Sequence, residues 1–308
     1  DRLHFSHPGI TAERKLADPG PFDEGPQPVP NEFVVTIQGD VPPGHYTVRT
    51  QGKYGISNPR TFEVSAITES REEEPNNTEG EAALIDGPLL INGQINGAAD
   101  VDCYRLDVTA GEKLQITCHA QKIDSLLDAV VTVTDTGGRV LAEAQAGPHG
   151  DAALHLTAES DSKWVIRVTD SLYRGGPQYV YRLTIGALPH VDFVFPPSAV
   201  VGANSEFTLF GSNLPGGQPA GIELNGRKLE KLAVQIAVPG DVANHPLTGI
   251  RLSPEQAELD LVPYRVTAPA GVSNPVLISA ATAPVILEQD GNDSPENAQA
   301  VELPCEVA

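Results

Sequence analysis

The densest run of potential ligands in the sequence is Glu72-Glu73-Glu74-Pro75-Asn76-Asn77. In an extended backbone alternate side chains share a face, so Glu72, Glu74 and Asn76 can converge on one point, and Asn77 opens the following turn with another oxygen. Hard oxygen donors with no nitrogen or sulfur are what Ca2+ selects, and it takes roughly six to eight of them. Asp100 and Asp102, entering the next clear strand after a Gly-Ala-Ala turn, can complete the shell. The same oxygen spacing returns 216 residues later at Glu288, Asp290, Asn292 and Asp293. The competing reading is a solvated acidic linker, the commonest fate of a charge run. Recurrence within one chain favours Ca2+ as a structural cofactor, one that would pin the segment between two modules.

Other chemistries find less support. There is no Gly-x-Ser-x-Gly elbow, no His-Glu-x-x-His, no Walker loop and no Gly-x-Gly-x-x-Gly, so the chain is expected not to be an enzyme. Asp124 and Asp128 flank a short apolar segment and could act as paired acids, yet turn hydrogen bonding explains them more simply. Tyr173-Arg174 before Gly175-Gly176 reads as a hairpin loop rather than a glycan-facing one. Three scattered cysteines offer no zinc spacing. If Tyr104, Leu106 and Val108 face inward in a hairpin with Leu114, Ile116 and Cys118, then Cys118 lies opposite Tyr104 and Cys103 falls on the other face, so a Cys103–Cys118 bridge needs a bulge.

The elements that must position these groups are strands. With 29 Gly, 27 Pro, no Met and 308 residues, long helices are disfavoured and short strands joined by turns are expected, in two or three domains. Strands are read at 33–37, 45–49 and 61–64, with a Pro-rich loop over 18–30 before them. More follow at 103–108, 114–120, 130–135, 140–143, 152–156, 164–169 and 179–185, then at 191–195, 207–211 and 222–225. Alternation with Ile166 and Val168 points Trp164, the single Trp, inward. A formal charge of -21 opposes nucleic acid and anionic membrane surfaces, and no stretch reaches the ~20 apolar residues of a membrane span.

The sequence also repeats. Tyr46-Thr-Val-Arg leads to Gly55-Ile-Ser-Asn-Pro59 as Tyr264-Arg-Val-Thr leads to Gly271-Val-Ser-Asn-Pro275, and the Ser-Asn-Pro triplets lie 216 residues apart, the offset of the acidic segments. That period suits a two-domain cassette and predicts a piece of a longer tandem array. Four parts follow: residues 1–66, a partial module; 67–187, a fuller sandwich; 188–287, a module resembling the first; and 288–308, the start of a second copy of the sandwich.

Glu74-Pro-Asn-Asn-Thr78, Asp100-Val-Asp-Cys-Tyr-Arg-Leu106, Ala110-Gly-Glu112, Ile123-Asp-Ser-Leu-Leu-Asp128, Asp135-Thr-Gly-Gly138, Asp170, Tyr173-Arg-Gly-Gly176 and Tyr181-Arg-Leu183 together resemble the bacterial pre-peptidase C-terminal domain. The flanking parts, with His7-Pro-Gly-Ile, Gly211-Ser-Asn-Leu-Pro and the Ser-Asn-Pro strands, are similar to immunoglobulin-like modules of large planctomycete surface or secreted proteins. The resemblance implies an all-β chain of alternating immunoglobulin-like and jelly-roll sandwiches, secreted or in a bacterial cell envelope. It implies Ca2+ ligation at Glu72, Glu74, Asn76, Asn77 and Asp102, and at Asp100 where the acidic turn is shorter. The expected role is non-catalytic: spacer, adhesion or substrate-targeting modules, partnered by other modules of one longer protein, by self-association or by an extracellular protein or glycan. An accessory region of a secreted protease or other hydrolase is the alternative, and a carbohydrate-binding module a third.

Overall fold

The structure, a computed structural model, describes residues 2–147, 150–242 and 247–308. It is all-β, built from several sheets that are mainly antiparallel, as tandem sandwiches require. No described residue lies in an α-helix, and among the described residues no helix is long and apolar enough to cross a membrane.

The first group of strands is β1 (Arg2–Phe5), β2 (Ile10–Ala17), β3 (Gln27–Ile37), β4 (Gly44–Gly52), β5 (Gly55–Ile56) and β6 (Arg60–Val64). β4 is bonded to β1, β5 and β6, while β2 and β3 form a separate hairpin. Ile10, Val41, Tyr46 and Val64 close a small core with Phe5, Val35 and Phe62. The expected loop over 18–30 is shorter than read, because β3 already begins at Gln27. β3 pairs only with β2, and an edge strand tolerates Pro28 and Pro30, which lack the N–H a central strand would need.

The central sandwich holds β7 (Glu69–Arg71), β8 (Ala83–Ile85), β9 (Leu89–Gln94), β10 (Asp102–Val108), β11 (Lys113–His119), β12 (Ala129–Asp135), β13 (Val140–Gln145), β14 (Ala152–Thr157), β15 (Ser162–Asp170) and β16 (Val180–Gly186). One sheet runs β13-β12-β15-β10-β8 and the other β14-β11-β16-β9-β7. Between them alternate residues interdigitate: Tyr104, Leu106 and Val108 of β10, Leu114, Ile116 and Cys118 of β11, Trp164, Ile166 and Val168 of β15, and Tyr181, Leu183 and Ile185 of β16. The expected β10–β11 hairpin does not form. The turn after Val108 carries the chain to the opposite sheet, so the inward faces of β10 and β11 meet across the core instead of along a ladder. Cys103 does lie on the other face of β10, against Ala82 and Val165, and Cys103, Cys118 and Cys305 are all free thiols.

The third group comprises β17 (His190–Phe195), β18 (Ser198–Val200), β19 (Asn204–Ser212), β20 (Gln218–Leu224), β21 (Arg227–Ala237), β22 (Leu261–Tyr264), β23 (Thr267–Ala268), β24 (Gly271–Val272) and β25 (Val276–Ala281). Sheet β17-β19-β21-β20 and sheet β18-β25-β22 share a core of Phe207, Ile236, Ala199, Val262 and Ile278. Last come β26 (Val285–Ile286) and β27 (Glu306–Val307), a short parallel pair.

Pairing at the 216-residue offset is the same in both places. His45 faces Glu63 on β4 and β6, and Leu261 faces Ser279 on β22 and β25. Gln51 faces Ile56, and Thr267 faces Val272. Glu69 faces Leu90 in the parallel β7–β9 pair, and Val285 faces Glu306 in β26–β27. The earlier strands differ: β21 pairs with β19 and β20, whereas β2, its counterpart in position, pairs with β3.

Candidate metal centre

The acidic segment leaves β7 and is tied into the central sandwich by its backbone. Glu72 N donates to Asn92 O (3.1 Å), and Cys103 N donates to Asn76 O (2.8 Å). The segment is therefore part of the sandwich, as the 67–187 boundary has it, and not the free solvated linker of the competing reading. It is also not a strand beyond Arg71, and the Glu74–Pro75 peptide bond is cis. The side chains converge although the segment is not a strand beyond Arg71.

Glu72 points into the sheet edge. Its Oε1 accepts from Gln94 N (2.7 Å) and its Oε2 from the Tyr181 hydroxyl (3.0 Å). Gly93 makes this possible, since a Cβ there would stand 2.2 Å from the Tyr181 ring and 2.6 Å from Glu72 Oε2. The same Tyr181 hydroxyl lies 2.6 Å from Asp102 Oδ2 and 2.6 Å from the Tyr104 hydroxyl. Asp102 shares the inward face of β10 with Tyr104 and is fully buried.

Nearer the surface, Glu74 Oε1 accepts from Asn96 Nδ2 (2.6 Å) and Oε2 from Asn76 N (3.2 Å). Asp100 accepts from Asn96 N (2.6 Å) and Val101 N (3.0 Å), at the end of a turn that holds Ala99 at φ 63°. One carboxylate oxygen each of Glu74, Asp100 and Asp102 lies within 4.8 Å of the others. The buried Asn76 carboxamide sits among them, one of its head atoms 3.1 Å from Glu74 Oε2 and 3.3 Å from Asp102 Oδ1. With nitrogen in that place the amide donates to both carboxylates. With oxygen there, three oxygens face one another, an arrangement that a shared proton or a bound cation satisfies.

The cluster is short of positive charge. Tyr181 has one hydroxyl proton and two carboxylates to serve, Glu72 and Asp102. Burial, with the charges of Glu72 and Asp100 added, pushes Asp102 up to about 8 despite the Tyr181 hydrogen bond. Burial likewise raises Glu72, with Glu74 adding to the shift, and burial holds Tyr181 well above the usual phenol range. Buried carboxylates in this state take up either a proton or a metal ion.

The structure thus brings together Glu72, Glu74, Asn76, Asp100 and Asp102, and leaves Asn77 exposed beside them. Glu288, Asp290 and Asp293 are exposed, and Asn292 Nδ2 donates to Glu288 Oε1 (3.2 Å). Tyr104, Tyr181, Asn96 and Gly93 were not read as site residues. Only alternation could have placed Tyr104 on the face of Asp102; nothing local points Tyr181 at a residue 79 positions away.

No family model matches the chain, and no curated protein matches it. Among solved structures, the pre-peptidase C-terminal domain of a collagenase from Bacillus anthracis is 16% identical, covering 36% of this chain and 98% of its own, with a TM-score of 0.28. A periplasmic inhibitor of g-type lysozyme, PliG, from Aeromonas hydrophila is 15% identical, covering 39% of this chain and 95% of its own, with a TM-score of 0.25. Both are matched almost whole, and each takes up little more than a third of this chain.

Proposed function

We propose that this chain is a non-catalytic, calcium-stabilised region of tandem β-sandwich modules from an exported bacterial protein, serving as spacer, adhesion or substrate-targeting modules. The observation that carries the reading is the convergence of Glu74, Asp100 and Asp102 carboxylate oxygens on one point beside the buried Asn76 carboxamide, with Glu72 behind them, in surroundings short of positive charge. Ca2+ would supply that charge, and these side chains, with water, would hold it. Its effect is on stability: an ion bound by the folded state alone raises the melting temperature as free calcium exceeds Kd. Calorimetry of calcium-free protein titrated with Ca2+ tests this. An unchanged melting temperature would overturn the calcium reading, and Asp102→Asn should abolish the rise.

Contact with an extracellular glycan or protein is a second reading. Phe193 and Phe210 stack at 4.6 Å and 14°, and Phe195 stands exposed on the same strand as Phe193. Paired aromatic faces of this kind suit sugar rings or apolar side chains. Loss of polymer retention on Phe193→Ala would support it, and unchanged retention would remove it.

A further inference from the structure

A second cluster of ligand-bearing side chains lies at the junction of the first module and the central sandwich. His45 on β4 and Glu63 on β6 are direct ladder partners and so share one face. His119 on β11 and Arg182 on β16 are direct partners on the central sandwich. The two pairs face each other. His119 Nδ1 is 3.1 Å from both Glu63 oxygens, and His45 Nε2 is 3.9 Å from Glu63 Oε2. The two imidazole rings are 5.8 Å apart, and one donor atom from each of the three side chains falls within 4.8 Å of the others.

We propose that His45, Glu63 and His119 form a site for a divalent transition-metal ion of the zinc class, which joins the two modules. Zinc–ligand bonds of about 2.0–2.1 Å set tetrahedral ligand atoms roughly 3.3 Å apart, a spacing bracketed by the 3.1 and 3.9 Å separations of Glu63 from His119 and His45. Two imidazoles and one carboxylate suit such an ion and not Ca2+, whose ligands are oxygens. His45 Nε2 is buried without a hydrogen-bond partner, so a bound ion would satisfy an atom that nothing else does. Burial lowers the His45 pKa, against the raising charge of Glu63, which favours the neutral ring over the charged one. Arg182 lies 3.3 Å from Glu63 Oε2, but Glu69 and Asn92 hold its other guanidinium nitrogens, so Glu63 Oε1 stays available. A cavity of about 380 Å³ opens on the three side chains and leaves room for water or a small ligand in a fourth position, with Lys122 and Arg251 in its wall to favour an anionic one.

The test uses the full chain, freed of metal and then saturated with Ca2+ so that the acidic cluster does not compete. Zn2+ is titrated calorimetrically, and Co2+ is added as a visible-absorbing probe of coordination. One equivalent of Zn2+ should bind, with Co2+ absorption of tetrahedral intensity. His119→Ala and His45→Gln should each weaken Zn2+ by at least about tenfold, while Asp102→Asn leaves it unchanged. His45→Gln keeps the test valid if His119→Ala fails to fold, because the His45 Nε2 atom has no hydrogen bond to lose. Absence of Zn2+ binding to the wild-type chain, or wild-type affinity in His45→Gln, would overturn the proposal and leave the cluster as an interfacial ion pair.

Discussion

At Asp102 a carboxylate sits on the inward face of a core strand, facing the Tyr181 hydroxyl, the Asn76 amide and the neighbouring acids Glu72 and Asp100. Since its native pKa is raised toward 8, the calcium-free native state holds a proton that the unfolded chain releases in the ordinary carboxylate range. More protons on the native state mean that stability is greatest below that range and falls as pH rises toward 8. Calcium should flatten this slope, because the ion replaces the proton. Urea unfolding at pH 5 and pH 8, with and without Ca2+, checks it, and an equal slope in both conditions would count against a metal at Asp102. Asp102→Asn should lose the slope and the calcium response together. At this scale the sequence was informative about residue type and silent about depth. Oxygen donors at 72, 74, 76, 100 and 102 were legible because spacing is local. Burial of Asp102 beneath Tyr181 was not, because it depends on which two sheets close over it.

Among the elements, the loop after β15 shows how one side chain can set a whole connection. Asp170 is fully buried and accepts from the backbone N–H groups of Asp128, Leu172 and Arg174 and from the Arg174 guanidinium at 2.9 and 3.0 Å. Burial alone would raise its pKa, yet the Arg174 bonds and the backbone donors outweigh it and hold Asp170 down at about 2. Its contribution is therefore complete above the ordinary carboxylate range and disappears only as pH falls through about 2. Asp170→Ala strands three backbone donors and should cost about 2–3 kcal/mol in denaturant unfolding, less than a fully buried pair because Arg174 is half-exposed. The sequence named Asp170 only as part of a motif. Strand positions were readable from alternation, as with Leu114, Ile116 and Cys118 on β11. Partnership was not: the same inward pattern on β10 and β11 fits a hairpin or two facing sheets, and long-range pairing decides between them.

For the whole molecule, the issue is what holds successive sandwiches together. Thr61 N donates to Asp124 Oδ2 (2.6 Å), His45 N to Gly249 O (2.9 Å), and Arg265 Nη2 to Pro43 O (3.0 Å). On the far side, Asn213 Nδ2 donates to Lys113 O (2.9 Å) and Leu188 O (3.1 Å). Gly44 permits the approach to Gly249, since a Cβ there would meet Gly249 O at 2.1 Å. None of these contacts involves the acidic cluster, whose backbone is already bonded into the central sandwich at Asn92 and Cys103. Exchange into calcium-free buffer should therefore lower the melting temperature without loosening the modules, and the radius of gyration from small-angle scattering should stay the same. Asp124→Ala combined with Arg265→Ala should do the reverse, expanding the particle while the calcium-dependent rise in melting temperature persists. Expansion of the wild-type chain on calcium removal would mean that the metal sits at a joint between modules, and that the segment 72–77 bends as a linker despite its backbone bonds.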